Sequence, residues 1–191
     1  IHLVHFTHCD YGFTDHPVTN IAQHVDFLRQ ALRYCAETAD YPAEARFHWT
    51  VEGVWTLEQF WKVAPASEKH LFDRLVADGQ VEVAAMPGNM TMLPTPYEWE
   101  REVKRLRFFF DTYRPQVVME NDVNGIPWGM IPSFLEQGFR YIWMGVNEYG
   151  GRGLRQVPSL WWWQGPEQTK ILTWLAYHYA AGFDFFHKEW W

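Results

Sequence analysis

The sequence has little cysteine. Two residues in 191, Cys9 and Cys35, cannot make a disulfide framework and leave at most a single bridge. Cationic residues are also scarce. Lys and Arg number 16 against 23 Asp and Glu, a formal net charge of −7. No basic stripe appears, which sets nucleic acid aside as a partner. No apolar run approaches the roughly 20 residues that span a bilayer. Internal repeats and low-complexity linkers are absent, so residues 1–191 are expected to form a single domain. No signal peptide is seen. The chain opens on Ile1 rather than Met and closes on the apolar-rich stretch 185–191. It therefore reads as a piece of a longer protein whose remaining C-terminal domains are its partners. Compartment stays open on these grounds, leaning cytoplasmic. Aromatic residues, by contrast, are abundant at 18%, with 12 Trp. Most of these rings fall at core-periodic positions.

What is present is an alternation of strands and helices. Ile1 to Phe6 reads as a buried strand. Val18, Ile21, Val25, Leu28, Leu32 and Cys35 step by three and four, which predicts a helix from about Val18 to Ala39. A strand is expected over Arg46 to Val51 and a helix over Thr56 to Lys62, with Thr56 and Gln59 at capping-box spacing. A helix from Ser67 to Asp78 should close on Gly79, ahead of a strand over Val81 to Ala85. Thr95-Pro96-Tyr97-Glu98 has the cap, first-turn proline and third-position Glu of a helix start. The helix behind it should bury Trp99, Val103, Leu106, Phe110 and Tyr113. Short strands at Val117 to Met119 and Tyr141 to Met144 flank a helix capped by Gly138. Leu160 to Trp163 and Ile171 to Ala176 read as two more strands, turned by Gly165-Pro166.

Such alternation predicts a parallel sheet covered by helices. In parallel α/β folds the residues just past the strand carboxyl ends form the active face. Here those are His8, Asp10, Glu52, Asn89, Asn121, Asp122 and Asn147. His8 and Asp10 stand two apart, so at a strand end they project to one side. Imidazole with carboxylate suits zinc or a similar divalent ion. A lone H-x-D is more often a local turn, and Asp122 alone is most simply a helix cap. At matching strand ends the three together offer three ligands and an open position, as a catalytic zinc requires.

These segments carry a family resemblance. Thr7-His8-Cys9-Asp10-Tyr11-Gly12-Phe13-Thr14 resembles the opening motif of the catalytic domain of glycoside hydrolase family 38, the α-mannosidases, and above all of bacterial relatives of that domain. Arg46-Phe47-His48-Trp49 with Glu52, Asp78-Gly79-Gln80-Val81-Glu82-Val83, and Asn121-Asp122-Val123-Asn124-Gly125 with Gly138-Phe139 are similar to its later segments, in the same order. The resemblance implies an α/β fold, the irregular seven-stranded β/α barrel with outer helices, here truncated at its C-terminus. It implies a zinc-dependent retaining glycoside hydrolase acting on α-linked sugars. His8, Asp10 and Asp122 would hold Zn²⁺, with Asp122 also the nucleophile. Phe13 stands where the family places a sugar-stacking Trp, and Cys9 where it places Asn. Glu52, Asn121 and Asn147 are candidate substrate contacts. The family's fourth ligand and its acid/base Asp lie further along than this chain reaches. His178 and His187 are not expected to replace the former, and Glu52, Glu120 and Asp184 are weak stand-ins for the latter.

The same residues admit two other functions. A metal-dependent polysaccharide deacetylase or amidohydrolase would use Asp10 or Asp122 as a base. Those enzymes usually carry an Asp-Asp pair after the first strand and an H-x-x-x-H pair elsewhere, and neither is present. A non-catalytic carbohydrate-binding barrel would keep the aromatics and lose the metal.

Overall fold

The computed structural model describes residues 3–12, 14–91, 93–123, 125–147, 159–176 and 179. The chain forms two compact units, Ile1–Gly88 and Asn89–Trp191.

Among the described residues the first unit holds three α-helices on a small sheet. Helix α1 (Pro17–Glu37) starts where expected, with Pro17 in its first turn and the His16 ring accepting from the Val18 amide. Its end is tied down by Thr38, whose hydroxyl donates to Tyr34 O at 2.8 Å and accepts from the Phe47 amide at 2.9 Å. Strand β1 (Trp49–Val51) leads into α2 (Val54–Val63); α3 (Ala66–Ala77) leads into β2 (Val81–Val83). Gly79 takes the left-handed conformation, φ +74°, that a non-glycine residue resists. The capping box foreseen at Thr56 does not form. Gly53 caps α2, and Thr56 donates back to Gly53 O. Strands β1 and β2 pair in parallel, Trp49 opposite Val81. Leu28 and Leu32 of α1, Leu57 and Phe60 of α2, and Phe72 and Leu75 of α3 are buried around them. Phe60, Trp61 and Phe72 interlock, with Trp61 edge-on to Phe72 at 5.5 Å between centroids.

The second unit begins with α4 (Pro96–Arg105), whose Thr95–Glu98 capping box is fully formed. The single helix expected from there to Tyr113 is broken at Leu106, and α5 (Arg107–Tyr113) follows. Strands β3 (Val117–Asn121), β4 (Tyr141–Gly145), β5 (Leu160–Gln164) and β6 (Lys170–Ala176) make a four-stranded sheet in the order β3-β4-β6-β5. Helix α6 (Met130–Glu136) joins β3 to β4. β3, β4 and β6 are parallel; β5 lies antiparallel on the edge. Ile131, Phe134, Phe139, Ile142 and Ile171 are fully buried. Alternation divides the tryptophans of β5 between two faces. Trp162 is exposed, and Trp161 and Trp163 are half-buried.

Two expectations are corrected. The seven-stranded β/α barrel is not what forms. Among the described residues the strands make one two-stranded parallel sheet and one four-stranded mixed sheet, and no closed barrel. Strand–helix alternation specifies local pairing of neighbouring strands. Closure demands that every edge find a partner with consistent tilt and stagger, which no local pattern encodes. The first strand also differs. Residues 3–10 carry no regular strand, and Leu3 and Val4 are exposed at 47% and 41%. One ladder bond, from the Thr50 amide to His5 O at 2.8 Å, links this segment to β1.

Candidate functional site

The opening motif is held in the first unit by polar contacts from two elements. Gly12, at φ +93°, allows the chain to turn back, its amide donating to Asp10 O at 3.1 Å. Asn20 of α1 is buried, and its amide donates to Asp10 O at 2.9 Å. From the end of β1, Glu52 reaches the motif with both oxygens. Oε1 lies 3.1 Å from His8 Nδ1, and Oε2 accepts from the Cys9 amide at 3.3 Å. The other face of the His8 ring turns to Asp10, with Nε2 3.2 Å from Oδ1.

That spacing can be tested against a metal. Two ligands of one tetrahedral zinc, each about 2.0–2.1 Å from it, stand roughly 3.3 Å apart. His8 Nε2 and Asp10 Oδ1 therefore fit as two donors to a single ion. The carboxylate on the far nitrogen of His8 is the partner a ligating imidazole commonly has. Cys9 offers no thiolate at neutral pH in the metal-free protein. Burial first, then the negative charges of Glu52 and Asp10, push its pKa up to about 12.

His24 also belongs to this cluster, a residue not among the candidates read from the sequence. It is half-buried on α1. Burial lowers its pKa, and the charges of Glu52, His8 and Asp10 also act on it. The available signal was Asn20 and His24 spaced i, i+4 within an otherwise apolar stripe, which puts two polar side chains on the inward face.

The second unit carries Asp122 just past β3. Its backbone is left-handed at φ +65°, a conformation in which Asp is tolerated better than most residues. Its amide donates to Gly145 O at 2.7 Å, and its Oδ1 accepts from Asn147 Nδ2 at 2.6 Å. Asn121 is buried, and its amide donates to Asn89 Oδ1 at 2.8 Å. Glu120 is fully buried, with Oε1 accepting from the Met90 amide at 2.7 Å. Gly145 is needed where it stands. A Cβ there would lie 2.7 Å from Asn121 Oδ1 and 2.5 Å from Tyr179 Cβ.

The structure thus gathers His8, Asp10 and Glu52 in one unit and Asn121, Asp122 and Asn147 in the other. Phe13, His178, Asp184 and His187 lie outside the described residues. No helix among the described residues is long and apolar enough to cross a membrane.

Solved structures share this fold at low identity. A glycosyl hydrolase family 38 protein from Enterococcus faecalis is 14% identical, with a TM-score of 0.58 over 90% of this chain and 18% of its own. An α-mannosidase from Enterococcus faecalis V583 is 16% identical, with a TM-score of 0.62 over 83% of this chain and 18% of its own. A 4-α-glucanotransferase from Thermococcus litoralis is 14% identical, with a TM-score of 0.63 over 97% of this chain and 29% of its own. The chain therefore spans less than a third of the length of each of these proteins. It has no significant match among curated proteins. The model of the glycosyl hydrolases family 38 N-terminal domain matches residues 1–184. With nearly its whole length so matched, the chain belongs to the glycosyl hydrolase family 38 N-terminal domain family.

Proposed function

We propose that this chain is part of a zinc-dependent retaining glycoside hydrolase acting on α-linked sugars, of the α-mannosidase type. The observation that carries the reading is the His8–Asp10 donor pair, at ligand spacing, in a family 38 N-terminal domain. His8, Asp10 and Asp122 together would hold the ion. Bound zinc would supply a Lewis acid that polarises neighbouring hydroxyls of the sugar. Asp122 acts as the nucleophile, its carboxylate attacking the anomeric carbon as the leaving oxygen takes a proton, and water later cleaves the glycosyl ester. Asn147, donating to Oδ1, fixes the plane of that carboxylate. Phe13 and Asn147 are assigned to substrate contact; Asn121, fully buried, is not.

A retaining enzyme needs a second carboxyl group about 5–5.5 Å from the nucleophile. Glu120 is ill suited, since it is fully buried and accepts a backbone hydrogen bond. The acid/base is assigned to further polypeptide of the same protein. The test is metal analysis of the full-length protein, paired with Asp122→Asn assayed on nitrophenyl glycosides. One zinc per chain is expected, with turnover falling by several orders of magnitude in the variant. Wild-type protein without stoichiometric zinc would sink the reading.

A further inference from the structure

The position of Glu52 is poor for touching sugar. It is 4% exposed, and each of its oxygens meets the opening motif. We infer that Glu52 is a positioning residue that fixes the tautomer of His8 and so makes Nε2 the metal-donor atom. This rests on the reading of His8 and Asp10 as ligands.

The argument follows the protons. A backbone N–H can only donate, so the Cys9 amide requires an acceptor at Oε2. The other oxygen of an ionised Glu52 is also an acceptor and favours a hydrogen on Nδ1, while Asp10 competes for one on Nε2 until an ion stands between them. An imidazole protonated at Nδ1 has its lone pair on Nε2, the nitrogen that faces Asp10. The turn that carries Glu52 is rigid. The amides of Val54 and Trp55 donate to Met86 O and Pro87 O at 2.8 and 2.9 Å. A Cβ on Gly53 would come within 3.1 Å of Gly88 Cα. Glu52 is thus fixed from one side by backbone and holds the His8 ring from the other.

Glu52→Gln tests this, because the amide has nearly the same shape but only one acceptor. The Cys9 amide still needs an oxygen, so the NH₂ group is turned toward His8 Nδ1. His8 must then accept there, which moves its proton to Nε2 and blocks the donor. Because Asp10 competes for a hydrogen at Nε2 in the metal-free chain, long-range ¹H–¹⁵N spectra are taken of the metal-free full chain in an Asp10→Ala background at alkaline pH, where His8 should be Nδ1–H with Glu52 and Nε2–H with Glu52→Gln. Zinc affinity, read by competition with a chromophoric chelator, should fall about 10–100-fold. Glu52→Asp keeps a carboxylate and should retain the wild-type tautomer. If wild type binds no zinc but the tautomer switches, the metal reading falls and the positioning role stands. An unchanged tautomer, with zinc bound equally by wild type and Glu52→Gln, overturns the inference and leaves the metal reading intact.

Discussion

Replacing Gln80 should reveal how the first unit is tied together. Gln80 follows the Asp78-Gly79 turn and is 3% exposed. Its side-chain amide donates to Cys35 O at 3.0 Å and to Phe47 O at 3.1 Å. One NH₂ group thus links the end of α1 to the approach to β1. Gln80→Leu keeps the bulk and removes both donors. A carbonyl left without its partner in the interior costs about 1–3 kcal/mol. The Thr38 hydroxyl also lies 3.3 Å from Cys35 O, but its one hydrogen goes to Tyr34 O at 2.8 Å, so Cys35 O is only weakly compensated. The expected total is about 2–3 kcal/mol, against a whole-domain stability of about 5–15 kcal/mol. In urea the midpoint should fall with the slope unchanged. Gln80→Glu is the sharper variant, since at neutral pH a carboxylate faces two carbonyls with no hydrogen to offer. It should be less stable than Gln80→Leu there. Burial among acceptors raises the carboxyl pKa in the folded state above its unfolded value. Its stability is therefore greatest at acid pH and is lost as pH rises through the raised value. Gln80→Leu within about 0.5 kcal/mol of wild type, the range of an ordinary surface change, would refute the reasoning. So would a Gln80→Glu variant with no pH dependence relative to wild type.

Other perturbations have directions fixed by the same structure. Phe72→Ala, at a fully buried ring packed on Phe60 and Trp61, should cost about 3–5 kcal/mol by urea unfolding. Gly145→Ala should cost about 1–3 kcal/mol, because its methyl would press on Asn121 and Tyr179, and amide exchange at Asp122 should quicken. Glu98, in the capping box, has its pKa lowered chiefly by the Thr95 backbone hydrogen bond. Its contribution is present above the ordinary Glu pKa and lost as pH falls through the lowered value, and Thr95→Ala, which removes only the hydroxyl's hydrogen bond and keeps the backbone one, should move the Glu98 titration, followed by NMR, only part of the way back toward the ordinary range.

The sequence by itself determined most of the local helices and strands, though not the strand expected over the first six residues. Apolar spacing gave α1 to within a residue or two of Pro17–Glu37, because a helical face is a local, periodic property. Thr95 and Glu98 announced the capping box, which needs only one turn of chain. His8 and Asp10 met as expected, since they lie two residues apart. Tertiary structure alone decided what depends on distant residues. It brought Glu52 to His8 across 44 positions and placed His24 in the same electrostatic cluster. It set Asn147 against Asp122 across 25. It also divided the strands between a two-stranded and a four-stranded sheet where a barrel was expected. Side-chain periodicity says which face of a strand is buried. It does not say which strand lies beside it, or whether the last edge meets the first.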